Sequence, residues 1–401
     1  MRRIGVVTTS RADFGIFRPI LKQITGHNEL ELHLIVSGTH LSPEFGLTYK
    51  NIEGEGFTIG DSIEMLLSSD SPEGIAKSMG LATIGYAQSF SRTRPSILLV
   101  LGDRFEMHAA ALAALPFKIP VAHIHGGEIT QGAIDESLRH SMTKLSHLHF
   151  VATEEYGQRV TQLGEEPWRI TVCGAPSLDN LRKLKLLTRD EIGARFGLSV
   201  PEQFLLATFH PTTLEYEDAE RQIAELLAAL ESSGLPVVFT LPNADTAGRG
   251  IRRAIQQYAE GGNAAQAVES LGTQGYFSLM ALATAMVGNS SSGLIEAPAF
   301  GLPVVNVGNR QQGRSRARNV IDVDCSQKEI EAGIRQATRK EFRVGLAGLE
   351  NPFGSGFAAE KIVSVLASVP LDSRLTMKKF HVPDLVKTRS DAREGYESGQ
   401  E

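Results

Sequence analysis

Short runs of apolar, often β-branched residues alternate along this chain with amphipathic stretches of helical length, and that alternation limits its fold more than any single motif does. In the first half the runs fall at residues 4–8, 32–36, 97–101, 121–124, 150–152 and 170–172, with helical patterns at 17–25, 75–91 and 105–115 between them. A strand that is apolar at nearly every position has to be buried on both faces, and a parallel sheet covered by helices on each side does this. The first half therefore reads as a doubly wound α/β unit.

The pattern restarts after Ala175-Pro176, with runs at 205–209, 237–241, 286–288 and 304–307 separated by helical stretches at 218–232, 247–258 and 327–339. A chain of 401 residues is also too long for one ordinary core. The expected architecture is two doubly wound Rossmann-like domains facing across a cleft, residues 1–175 and residues 176–370, with a last amphipathic helix at 357–369. Ligands of such folds bind at the carboxyl ends of the strands. From about Leu371 the periodicity fades and the end turns charged and rich in Ser, Gly and Glu, so 371–401 reads as a mobile tail without catalytic duty.

A formal net charge of −6 offers no basic field for nucleic acid. Cys173 and Cys325 have neither zinc-ligand nor disulfide-framework spacing. Met1-Arg2-Arg3-Ile4-Gly5-Val6-Val7 leads directly into a strand without the apolar core of a signal peptide, and no run approaches the roughly 18 apolar residues of a membrane span. A reducing cytoplasm, with no membrane and no nucleic-acid partner, is the expected setting.

Two clusters can carry chemistry. Asn289-Ser290-Ser291-Ser292-Gly293-Leu294-Ile295-Glu296 follows an apolar run and opens a predicted helix. Unpaired N–H groups at a helix start suit a diphosphate, and Glu296 one turn on can accept bonds from a sugar diol. A serine-rich helix cap followed by a solvated glutamate explains the same residues more plainly. The second cluster begins with Gly102-Asp103-Arg104 at a strand end, where Asp103 is either a catalytic carboxylate or the cap of the next helix. It continues through His123-Ile124-His125-Gly126-Gly127-Glu128 to Asp135 and Arg139. Two glycines after a strand would let the backbone approach a substrate, while Asp135 and Arg139, four apart, would form an ordinary ion pair on one helical face.

His123 and His125 alternate on a strand and so point to opposite faces, and His140, His147 and His149 lack the pairing of a zinc helix, so no metal is expected. In the second half His210 precedes Pro211 at a strand end and is either an acid/base or a satisfied polar residue. Asn243 and Arg310 end two further strands and could reach a ligand.

Taken together, Ser10-Arg11-Ala12-Asp13-Phe14-Gly15, Gly102-Asp103-Arg104, Gly126-Gly127-Glu128, Ile134-Asp135, Phe209-His210-Pro211, Pro242-Asn243, Asn289-Ser290-Ser291 and Gly308-Asn309-Arg310 resemble the UDP-N-acetylglucosamine 2-epimerase family over residues 3–369. The resemblance is greatest to its hydrolysing branch, which supplies N-acetylmannosamine-type sugars to sialic-acid-like pathways. It implies a glycosyltransferase-B-like fold, no cofactor, a UDP-sugar substrate and a homo-oligomer, dimer or tetramer. Carried over by position, it implies that Ser290 and Ser291 hold phosphates, Glu296 the ribose, Asn243 and Arg310 the rest of UDP or the sugar, and that Arg11 reaches the diphosphate. Arg139 joins the substrate-binding set, and Asp103, Asp135 and His210 match catalytic positions. Family members commonly carry glutamate where this chain has His125, so either His125 takes a base or sugar-orienting role or Glu128 swings in.

The hydrogen at C2 of an N-acetylhexosamine is poorly acidic because no carbonyl adjoins it. Loss of UDP from C1 as a base removes that proton solves the problem, and water then adds across the glycal. The implied reaction is hydrolysis of UDP-N-acetylglucosamine to N-acetylmannosamine and UDP. A hydrolysing epimerase of UDP-N,N′-diacetylbacillosamine, a non-hydrolysing epimerase, and a glycosyltransferase or UDP-sugar sensor are the alternatives.

Overall fold

The computed structural model describes residues 1–383 apart from 68, 70, 131–133, 183, 212–217, 242–247 and 270. The first sheet comprises β1 (Arg2–Thr8), β2 (Leu30–Ser37), β3 (Ile59–Ile63), β4 (Ile97–Leu101), β5 (Val121–Ile124), β6 (Leu148–Val151) and β7 (Ile170–Val172). Its order is β3-β2-β1-β4-β5-β6-β7, every pair parallel. The second comprises β8 (Leu205–Thr208), β9 (Val237–Thr240), β10 (Ala265–Val268), β11 (Ala285–Gly288), β12 (Val304–Val307) and β13 (Val320–Val323). Its order is β10-β9-β8-β11-β12-β13, again parallel throughout. Both are doubly wound, with the strand order reversing between β1 and β4 and between β8 and β11. Those two points are where such sheets open a crevice for a ligand.

Central strands are buried along their whole length: all five residues of β4 and all four of β8 and β11. Helices Arg11–Thr25 and Phe105–Ala114 cover the first sheet, and Ala219–Ser233 and Gln327–Thr338 the second. A separate apolar cluster, with Val151, Tyr156 and Val160 from the first unit against Leu294, Ile295 and Phe353, joins the two halves.

Three expectations change. The serine segment begins a helix of only four residues, Ser292–Ile295, because Pro298 supports only a 3-10 turn over Ala297–Phe300; its dipole is correspondingly small. The boundary at residue 370 does not hold either: helix Ala358–Ser368 crosses back and buries Ala359, Ile362 and Leu366 in the first unit's core beside helix Arg11–Thr25. Nor does the tail begin at 371. Leu375 is buried, Arg169 donates to the carbonyls of Leu375 and Arg374 at 2.8 Å each, and Lys378 Nζ meets the buried Glu165 at 2.8 Å. Polar and charged residues hide this docking from a search for apolar periodicity. Residues 384–401 lie outside the described part. Among the described residues no helix is long and apolar enough to cross a membrane.

Candidate active site

Both reversal points face one cleft. β1 ends in Thr8-Thr9-Ser10, and Ser10 caps helix Arg11–Thr25 in a capping box with Asp13. The Asp13 carboxylate accepts from the Thr9 and Ser10 amides at 2.9 and 3.0 Å and from Thr9 Oγ1 at 2.7 Å. Burial alone would raise its pKa, but His40 and these threonines outweigh that and hold it below the usual carboxylate value. Asp13 thus shapes the turn, and Arg11 is left at the cleft wall beside Ser290 and Ser291.

Next to it the acids gather. Asp103 does not cap the following helix: Arg104 is the capping position, its guanidinium bonded to Glu106 rather than capping the helix, and Asp103 accepts from Arg139 Nη2. Arg139 also donates to the His125 carbonyl at 2.6 Å and to Thr130 Oγ1 at 3.3 Å, and lies 3.9 Å from Glu128. Its two terminal nitrogens are taken up by protein groups, so it ties the acids together while lining the acid-side cavity. Burial opposes its charge, and Asp103, Glu128 and Asp135 more than restore it. Asp135, at the start of helix Ile134–Leu145, faces the same cavity.

His125 lies one residue past β5 with φ +64°, which breaks the strand alternation expected of it. Its Nδ1 is 2.6 Å from Glu128 Oε1, and both side chains are buried. Burial by itself would raise the Glu128 pKa, yet His125, Arg314 and Arg139 together hold it well below the ordinary glutamate value. An ionised Glu128 requires Nδ1–H as donor, leaving Nε2 as the ring nitrogen for a ligand. The two glycines serve packing beneath the site: a Cβ on Gly127 would come within 2.3 Å of the Tyr156 carbonyl, and one on Gly126 within 3.1 Å of the His123 ring.

The other histidines are structural. His123 donates Nε2–H to the Gly102 carbonyl at 2.7 Å, and burial pushes its pKa down to about 3. His140 pairs with Glu136, His147 accepts from the Val121 amide, and His149 meets Glu165. Among the described residues no group of three or more His, Cys, Asp or Glu side chains could hold a metal ion.

Across the cleft, Asn289 clamps the ends of β8 and β11: its Oδ1 accepts from the His210 amide at 2.7 Å and its Nδ2 donates to the His210 carbonyl at 2.8 Å. That fixes His210 at the wall, with Arg310 held nearby by a 3.1 Å bond to the Asn289 carbonyl. Glu296 accepts from Ser177 Oγ and is buried; burial pushes its pKa up to about 7 against the opposing pull of Ser177, Ser292 and His125. The solvated-glutamate reading therefore fails. Asn243 lies outside the described residues.

These walls line two adjoining cavities open to solvent, about 200 Å³ on the acid side and about 370 Å³ on the serine side. Ala12, Ile16, His125, Ser291, Ile295 and Arg310 line both, so His125 stands at the junction. Three residues of these walls went unread in the sequence: Ser177 and Tyr276 on the serine side and Arg314 on the acid side. Only Arg314 had a signal, as one of three arginines within Arg310-Gln311-Gln312-Gly313-Arg314-Ser315-Arg316.

Residues 22–367 match the family profile described as UDP-N-acetylglucosamine 2-epimerase. A Campylobacter jejuni protein named GDP/UDP-N,N′-diacetylbacillosamine 2-epimerase (hydrolyzing) is 38% identical over 93% of this chain and 97% of its own. A Legionella pneumophila protein named UDP-N,N′-diacetylbacillosamine 2-epimerase (hydrolyzing) is 37% identical over 94% and 99%. The fold is similar to that of a Neisseria meningitidis UDP-GlcNAc 2-epimerase solved with UDP-GlcNAc bound, with TM-score 0.78, 20% identity, and coverage of 91% of this chain and 99% of that one. With a profile match running through both sheets and two relatives above a third identity along nearly their whole length, the chain belongs to the UDP-N-acetylglucosamine 2-epimerase family.

Proposed function

We propose that this enzyme is a hydrolysing UDP-sugar 2-epimerase whose sugar is a 2,4-diacetamido-2,4,6-trideoxyhexose of the diacetylbacillosamine type. The observation that carries the reaction is the pair of cavities meeting at His125, an acid-lined one from the first unit and a serine- and glutamate-lined one from the second. Such a division suits a substrate whose nucleotide and sugar ends differ. The names of the two hydrolysing relatives support the sugar, which reverses the order of expectation from sequence; UDP-N-acetylglucosamine is the second reading.

UDP lies along Ser290, Ser291 and Glu296, with Arg11 and Arg310 facing its diphosphate, so that the C1–O bond sits near the junction. His125 Nε2, oriented by Glu128, takes the C2 proton as the C1–O electron pair leaves with UDP. A glycal remains, with a C1–C2 double bond. Asp103 and Asp135 direct water to C1 and accept its proton, and the pair passes a proton to C2 on the face opposite His125, giving the free C2-inverted sugar. His210 stands at the serine-side wall, where it can donate to the departing phosphate. Each candidate UDP-sugar incubated with the protein in deuterated water should yield UDP and a free manno-configured sugar deuterated at C2, followed by NMR. Unlabelled product would sink the elimination route, a UDP-linked epimer without free UDP would make the enzyme non-hydrolysing, and UDP-N-acetylglucosamine as the faster substrate would restore the second reading.

A further inference from the structure

The acid cluster of the first unit is not completed by the first unit. Arg314, on the loop after β12 in the second sheet, reaches across the cleft with 9% of its surface exposed. Its Nε donates to the Ile129 carbonyl at 2.6 Å and its Nη2 to Thr130 Oγ1 at 2.8 Å, and Nη2 lies 3.7 Å from Glu128 Oε2. The next residue continues the contact: the Ser315 amide donates to Tyr156 Oη at 3.0 Å, and Ser315 Oγ to Glu155 at 2.6 Å. Two nitrogens of one guanidinium thus make three contacts with the segment that carries Glu128, from an element whose sheet belongs to the other half.

We propose that Arg314 is a positioning residue that makes the His125–Glu128 pair competent only when the two units are closed on each other. Glu128 is buried and its free oxygen, Oε2, faces two cations, Arg139 at 3.9 Å from its own unit and Arg314 at 3.7 Å from the partner unit. Opening the cleft withdraws one of the two and leaves a buried carboxylate facing fewer counter-charges, which favours its neutral form. A neutral Glu128 no longer holds the Nδ1–H tautomer of His125, so the base at C2 loses its orientation. The coupling is useful chemically, because a base active in an open cleft would expose the glycal stage to bulk water before the sugar is held.

The other charged groups around Glu128 keep their places in this scheme. His125 adjoins it; Arg139, Asp135 and Glu136 come from helix Ile134–Leu145; Asp103 follows β4; Arg310 shares the loop of Arg314; Tyr156 lies on helix Glu154–Gln162; and Glu296 faces His125 from the second unit. All but the two on the Arg314 loop and Glu296 remain with the first unit when the cleft opens.

The inference rests on the reading of the cleft as an epimerase site, and its test separates the two. In the full-length chain saturated with UDP, the carboxyl titration of Glu128, identified against Glu128→Gln by carbon NMR, should move to higher pH in Arg314→Met and stay near the wild-type position in Arg314→Lys. With a turned-over UDP-sugar, Arg314→Met should lower kcat on the order of 100-fold, the scale of a misplaced reacting group, with KM within about threefold. The acid limb of its kcat profile should also shift upward, because Glu128 must be ionised to orient the base. An unmoved Glu128 titration in Arg314→Met, or a loss of UDP affinity with an unmoved acid limb, overturns the proposal and makes Arg314 a packing or diphosphate contact. The titration needs no turnover, so a wild-type chain inactive on every UDP-sugar would sink the epimerase reading and still leave the role of Arg314 decided.

Discussion

Glu296 is the residue where burial and function pull against each other. Burial pushes its carboxyl up to about 7 against the opposing bond from Ser177, so near neutrality it is partly protonated before a nucleotide binds. A ribose diol donating two hydroxyls favours the ionised form, so nucleotide binding should release a proton from it. UDP affinity should therefore rise with pH through about 7, and Glu296→Gln should flatten that rise relative to wild type. Calorimetric titrations from pH 6 to 8 check it, with the variant subtracting the titration of the nucleotide's own phosphate. On the opposite wall, Asp103→Asn and Asp135→Asn should each lower turnover by about 100-fold or more while leaving UDP binding intact, as the proposed nucleotide contacts are Arg11 and residues of the second unit. Normal turnover in either would leave that aspartate a structural partner of Arg139. The acids, histidines and serines of both walls could be read from the sequence because strand ends carry function in open sheets. The targets of Arg139 and Arg314 could not, since a long side chain's partner depends on which segments tertiary packing brings within reach.

At the scale of elements, the strands read in advance are the central ones of both sheets and a single edge strand, the half-buried β7. β3, β10 and β13 escaped notice, and all three are edge strands. Ile59-Gly60-Asp61-Ser62-Ile63, Ala265-Gln266-Ala267-Val268 and Val320-Ile321-Asp322-Val323 carry polar residues because one side of each faces solvent or a helix end. Their pairing comes from the neighbouring strand, which a local pattern does not contain. Gly288 shows the opposite case, a single residue on which an element boundary depends. It ends β11 at φ +137°, and a Cβ there would stand 1.9 Å from the Thr208 carbonyl oxygen on β8. That oxygen accepts the Asn289 amide at 3.1 Å, the bond that brings the clamp on His210 into register. Gly288→Ala should cost about 3 kcal/mol or more, read as a lower midpoint in denaturant for the second unit, and should weaken UDP binding with it. A variant as stable as wild type would show that the strand end relaxes freely and that the clamp does not depend on it.

For the molecule as a whole, two α/β units and the cleft between them were legible from the alternation of patterns, whereas the return of the chain was not. Asp179 accepts from the amides of Ala358 and Ala359 at 3.0 and 2.7 Å and so seats the helix that crosses back. Beyond it, Asp372 caps a turn that buries Leu375, Trp168 lies between Arg169 and Arg374, and Lys378 completes a buried group with Glu165, His149 and Lys144. Burial opposes the charge on Glu165, but His149, Lys144 and Lys378 hold its pKa down to about 2. A carboxyl depressed in the folded state stabilises it above its unfolded value near 4.5 and loses that contribution as pH falls toward 2. A chain ending at Val369 lacks Leu375 and Lys378, leaving Glu165 with fewer counter-charges and the buried Arg169 without its two carbonyl acceptors. It should lose on the order of 3 kcal/mol from the first unit, and this deficit should shrink as pH falls from about 4.5 toward 2. A chain ending at Pro383 keeps every one of these contacts and should melt with the full-length protein across the same range. Equal melting of both truncations at pH 7 would show that the segment merely rests on the first unit, and a deficit that persists at low pH would assign its contribution to Leu375 alone.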